Sequence, residues 1–217
     1  MPRWLECDTI QKKEGIPLKA LSALPEGYRE IYAIDLQKDK KMALVVNLIA
    51  AAIALVLVVP MLFLVPISGL FDMTNGLGAY VARFAGLIGL MLLYMVLHEF
   101  VHGIAMKLYG TKKVNYGFTG MYAFAGSDDY YGKGAYIFIA LAPVVLWGAV
   151  IAVVNPFVPE KWFWVVYLLQ VINLSGAAGD FFVSVRFCRM PKDILVKDYG
   201  VGMTVYSREE RLEETHG

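Results

Sequence analysis

Four long stretches with almost no charge restrict what this chain can fold into more than any other feature. Crossing the hydrocarbon core of a bilayer takes about 20 mostly apolar residues of helix. Residues 42–66, 84–108, 135–154 and 162–185 all have that length and character. The first and third carry no charge, the fourth carries only Asp180, and the second is interrupted only near its end. In lipid every backbone polar group must be satisfied within the segment, so these stretches are expected to be helices. The expected fold class is an all-α membrane protein with four transmembrane helices. It divides into an N-terminal arm (1–41), a four-helix core (42–185) and a C-terminal tail (186–217).

Composition agrees, with 58% hydrophobic residues and a net charge of only +1 in 217 residues. So small a charge argues against nucleic acid as a partner, and the hydrophobic share points to the lipid bilayer. Cys7 and Cys188 are too few for a disulfide framework. The first forty residues contain five lysines but no early apolar core or small-residue cleavage site, so no cleaved signal peptide is expected. The stretch ISGLFDMTNGLGAYVAR reads as a short loop between the first two spans, and NPFVPEK as a tight reversal between the last two.

Lysines and arginines set the expected orientation. Eight lie in the arm, four in residues 107–133 and six from Arg186 onward, whereas the other two loops hold only Arg83 and Lys161. Cytoplasmic loops carry such an excess, so both termini and the central loop are expected in the cytosol. Trp162 and Trp164 would then mark the opposite interface.

The interruption of the second span is LHEFVHG, residues 97–103. Ionisable groups inside a span are costly and demand partners. His98 and His102 are four apart and share one helical face, close enough for two imidazoles to hold one zinc ion. Glu99 emerges beside them, placed to take a proton from an attacking water as general base. A catalytic zinc needs a third protein ligand. Asp180 precedes Arg186 by six residues, much as His102 precedes Lys107 by five, so it lies at a similar depth on a helix of the same direction. The small residues of NLSGAAGD, 173–180, would let that helix approach closely. Asn173, two turns earlier, is placed to hydrogen-bond a substrate backbone or, as readily, a neighbouring helix. Asp128 and Asp129 offer an alternative ligand, although adjacent aspartates in a loop are usually solvated.

These residues carry a resemblance. The HEFVH span, a following span with ALAP (140–143) and a later span with Asn173 and Asp180 resemble the core of intramembrane zinc metalloproteases of the site-2 protease type. The whole chain, with LPEGY at 24–28, is more similar to the zincin peptidase family of small multi-pass bacterial membrane proteins. It departs from the site-2 pattern in that Phe181, not Gly, follows Asp180, and no proline separates it from Asn173. The resemblance implies His98, His102 and Asp180 as Zn2+ ligands and Glu99 as catalytic base. It further implies a peptidase acting on a membrane protein or membrane-proximal peptide, with its site near the cytosolic face of a bacterial plasma membrane.

Three polar-side segments read as β-formers: YREIYAIDL (28–36), VNYGFTGMYAFAG (114–126) and GMTVYS (202–207). They are expected to build a small sheet at the cytosolic membrane surface, with an edge able to take a substrate strand. The same polar cluster also suits a transporter or ion pathway, or a catalytically silent adaptor, and these stand as the competing readings.

Overall fold

The computed structural model describes residues 19–35, 38–120 and 123–208. Four helical segments among them are long and apolar enough to cross a membrane. The first, α1 (Lys40–Leu64), starts where the Asp39 side chain accepts the Met42 N–H at 3.0 Å. None of its residues is fully buried by the protein, which suits a helix that is hydrophobic all round and long enough to face lipid. The second, α2 (Gly76–Leu108), begins earlier than the sequence suggests. Half of the expected loop is therefore helix, and only a 3-10 turn (Ile67–Phe71) and a few residues connect the spans.

Arg83 explains the difference. It is 2% exposed, and its guanidinium folds back to donate to the carbonyls of Leu70 and Asp72. The cation satisfies the end of the 3-10 turn, which allows helix to form close behind it. Asp72 is held from the other side by Lys161, at 2.7 Å, and by the Thr74 N–H.

Beyond α2 the chain forms a hairpin, β2 (Asn115–Phe118) with β3 (Ala123–Gly126), then β4 (Tyr130–Gly132) and the third span, α3 (Lys133–Val154). A second 3-10 turn at Asn155–Phe157 makes the reversal expected for NPFVPEK. The fourth span is two helices, α4 (Glu160–Gly176) and α5 (Ala178–Cys188), broken at Ala177. The run Ser-Gly-Ala-Ala-Gly contains the poorest helix formers short of proline and supplies the weak point. Trp164 is engaged within the protein. It is 1% exposed, packs with Leu70 and Val165, and donates its indole N–H to the Pro66 carbonyl. A buried indole needs such an acceptor, and the connection between the first two spans provides one.

The three β-like segments all contribute strands. Beside the hairpin stands a four-stranded antiparallel sheet in the order β1 (Arg29–Ile34), β6 (Met203–Ser207), β5 (Leu195–Asp198), β4. Leu36, Met121 and Tyr122 lie outside the described residues. The chain is thus mostly helical with two small sheets, and β4 and β5 are additions to the sequence reading. Asp128 lies in a solvated bend as expected, but the chain directly after Asp129 pairs through Tyr130–Gly132 with Lys197–Leu195. Strands of three or four residues are too short to show alternation, and Leu195 and Val196 are fully buried. One core cluster joins the sheet to the helix ends, through Tyr131, Tyr136, Ile139, Phe187, Val196 and Val205.

The Asp72 contacts predict a pH dependence. Hydrogen bonding from Lys161 holds the Asp72 carboxyl below the usual carboxylate range. A depressed acid stabilises the fold above its unfolded pKa of about 4, and the contribution fades as pH falls below that. Asp72→Asn should therefore lower the thermal midpoint at pH 7, with a deficit that shrinks below about pH 4 and in high salt. A deficit constant across pH would contradict this.

Candidate metal centre

The break at Ala177 sets the position of Asp180. Because α5 restarts at Ala178, Asp180 falls in its first turn, where unpaired backbone N–H groups favour a negative charge. Ala177 and Ala178 are fully packed, so the backbone here runs close to its neighbours. On α2, His98 and His102 project from one face with ring centroids 4.8 Å apart. The two helices meet so that His98 Nε2 is 3.5 Å from one Asp180 oxygen and His102 Nε2 is 3.8 Å from the other. Among the described residues these three form the group whose donor atoms all lie within 4.8 Å of one another.

The hydrogen bonds behind the rings define what faces Asp180. His102 Nδ1 lies 2.9 Å from the Ile139 carbonyl, which can only accept, so Nδ1 carries the hydrogen and Nε2 of the neutral ring is a lone pair. His98 Nδ1 lies 2.8 Å from the Tyr94 hydroxyl, which itself donates to Asn173 Oδ1 at 2.8 Å. That hydroxyl has a single proton, so here too Nδ1 is the donor. Two imidazole lone pairs and a carboxylate thus converge with no donor among them. Such a set is satisfied by a cation.

The dimensions suit zinc. A tetrahedral ion with bonds of about 2.0–2.2 Å holds its donors roughly 3.3–3.6 Å apart; the imidazoles stand 3.5 and 3.8 Å from the two Asp180 oxygens and the group spans up to 4.8 Å, so the three would draw in slightly around the ion. Both imidazoles pass their other ring hydrogen to an acceptor, the usual support of a metal-bound histidine.

Glu99, His98, His102 and Asp180 line one cavity of about 510 Å³ with mainly apolar walls. It runs from Val46 of α1 and Met95 of α2 to Gly200 in the turn between β5 and β6. The backbone N–H of Ala125 in β3 donates to the Glu99 carboxylate. The hairpin is thereby tied to the catalytic candidate, and it rests on α2 where Tyr116 meets Gly103. Asp198 also lines the cavity, and burial holds its carboxyl above the usual carboxylate range while Tyr136 and the Gly200 N–H donate to it. Asp128 faces away and pairs with Lys197 at 3.5 Å.

Residues 91–195 match the family model described as "Putative zincin peptidase". Over that stretch the chain is similar to this family. The zincin segment contains both histidines, Glu99 and Asp180, so the resemblance read from the sequence holds where the site is. A curated relative, "Uncharacterized 24.7 kDa protein in gap 5'region" of Pyrococcus woesei, is 27% identical over 118 residues. The match takes in 52% of this chain and 51% of the relative, so the chain spans about half the length of the curated relative it matches. No solved structure gives a significant match.

Sequence reasoning passed over Tyr94 and Asp198. Tyr94 had a signal, being a hydroxyl in an apolar span four residues before His98 and so on the same helical face. Asp198 had none, since only the fold of the sheet brings β5 to the cavity. Asn173 is fully buried, and its amide is engaged with Tyr94 and the Val144 carbonyl.

The hairpin's seat should be sensitive to one added methyl. A Cβ on Gly126 would lie 2.5 Å from backbone atoms of Tyr199 and Gly200, which have no side-chain freedom to yield. Gly126→Ala should destabilise the protein by about 1–3 kcal/mol, read from thermal unfolding. Gly89→Ala, on α2 with nothing within 4 Å, should be close to neutral. Equal effects would remove the argument.

Proposed function

We propose that this chain is a zinc-dependent metallopeptidase whose active site lies within the membrane-spanning helices and hydrolyses peptide bonds of membrane or membrane-proximal substrates. The convergence of two imidazole lone pairs and the Asp180 carboxylate beside Glu99 carries the reading. The similarity of residues 91–195 to the zincin peptidase family model supports the zinc and the peptidase chemistry.

His98, His102 and Asp180 would hold the metal. Bound zinc supplies Lewis acidity, polarising a carbonyl and making water easier to deprotonate near neutral pH. Glu99 accepts a proton from the attacking water on its carboxylate and returns it to the departing amine. The Ala125 N–H orients that carboxylate, so the base does not have to find its position during the reaction. The apolar walls exclude bulk water, which strengthens each electrostatic contact inside. Hydrolysis needs an extended peptide, and the hairpin β2–β3 offers strand edges beside the site.

The lysine and arginine distribution supports a multi-pass arrangement with both termini, the sheet and the mouth of the site on the cytosolic side of a bacterial plasma membrane. A transporter or a silent adaptor would use the same cluster differently, and the same variants separate them. In purified protein we expect about one zinc per chain. Glu99→Gln should keep the metal and lose cleavage of a membrane-derived peptide by about 10²–10⁴-fold, whereas His98→Ala should lose both. Undiminished cleavage in Glu99→Gln would refute the proposed base. Glu99-dependent zinc flux in proteoliposomes, with no cleavage, would favour transport.

A further inference from the structure

On the side of His98 that faces away from Asp180, one polar chain crosses three helices. The Asn173 amide nitrogen, on α4, donates to the Val144 carbonyl of α3 at 3.1 Å. Its amide oxygen accepts the Tyr94 hydroxyl of α2 at 2.8 Å, and that hydroxyl lies 2.8 Å from His98 Nδ1. The direction of each bond follows from its far end. A backbone carbonyl only accepts, so the NH2 of Asn173 must face Val144 and its oxygen must face Tyr94. The single Tyr94 proton is then committed to Asn173, and its lone pair is what remains for His98. The hydrogen of His98 therefore sits on Nδ1.

We infer that Tyr94 and Asn173 are positioning residues that lock His98 in the tautomer a metal requires. The inference rests on the metallopeptidase reading above. Were the hydrogen on Nε2 instead, it would point at Asp180 and close the site as an ordinary histidine–aspartate pair. His102 reaches the right tautomer through one fixed acceptor, the Ile139 carbonyl. A tyrosine hydroxyl rotates and can donate or accept, so it defines a tautomer only when something else takes its proton. Asn173 is that group. This accounts for an amide kept at 0% exposure in a membrane span, where burying it without partners would be costly. The Tyr94 ring stands edge-on to the imidazole, with centroids 5.6 Å apart, so ring packing and the hydroxyl hold His98 together.

Tyr94→Phe removes one oxygen and leaves the ring, and zinc affinity can be read by chelator competition without any substrate. Loss of such an outer partner typically costs about 10–100-fold in metal affinity, and we expect a loss in that range. Asn173→Ala should weaken binding as well, yet add nothing in the Tyr94→Phe background, because its influence passes through the missing hydroxyl. Wild-type affinity in Tyr94→Phe, or fully additive losses, would overturn the relay while leaving the metal reading intact. A wild-type protein that takes up no zinc would overturn both. Should a variant fail to fold, histidine ¹⁵N NMR of metal-free wild-type protein in alkaline buffer reads the tautomer directly. An Nδ1–H signal for His98 supports the relay, and an Nε2–H signal overturns it.

Discussion

Three hydrogen-bond acceptors meet at the junction of α2 and α5, and the rest of the structure is organised around holding them there. Left alone, a carboxylate facing two imidazole lone pairs at 3.5 and 3.8 Å is an unfavourable arrangement in a medium of low dielectric. The protein sustains it from behind. Ile139 fixes one ring through its backbone carbonyl, Tyr94 and Asn173 hold the other, and the helix break at Ala177 puts the carboxylate in the first turn of α5. Each of these supports acts from the far side of its ligand, away from the face the three donors share.

The small sheets complete what the helices begin. A bundle of four apolar helices would leave the site open at one end. Here β3 reaches Glu99 through the Ala125 amide, and the turn between β5 and β6 forms a further wall of the cavity. The hairpin and the four-stranded sheet are joined by the Ser127 N–H to the Asp198 carbonyl and by close backbone packing at Gly126. At the other end of the bundle, Arg83, Asp72 and Lys161 tie α2 and the turn before it to α4. By contrast α1 packs mainly on α4 and buries no residue fully, so it is the least integrated wall of the cavity it helps to line.

Much of this was legible in the sequence, for reasons that can be traced. Length and charge exclusion are what a bilayer demands of a crossing helix, so the four membrane-length helices stood out, and the histidine pair was visible because its spacing matches the helical period. The depth argument for Asp180 worked because rise per residue converts sequence distance into height. What was misread depended on contacts between distant residues. The start of α2 turns on the fold-back of Arg83, the burial of Trp164 on the Pro66 carbonyl, and β4 on a partner strand some sixty residues away.

By itself, then, the sequence determined that the chain has four membrane-length helices and that one of them presents two imidazoles and a glutamate on adjoining positions, since both are local consequences of composition and period. Only the tertiary structure decided which atoms those imidazoles present, because a tautomer is chosen by the hydrogen bond on the far nitrogen. It also decided that Asn173 acts within the bundle and that Tyr94 and Asp198 belong to the neighbourhood of the site. Each of those outcomes follows from helices and strands far apart in the chain coming within hydrogen-bonding distance, which no local pattern encodes.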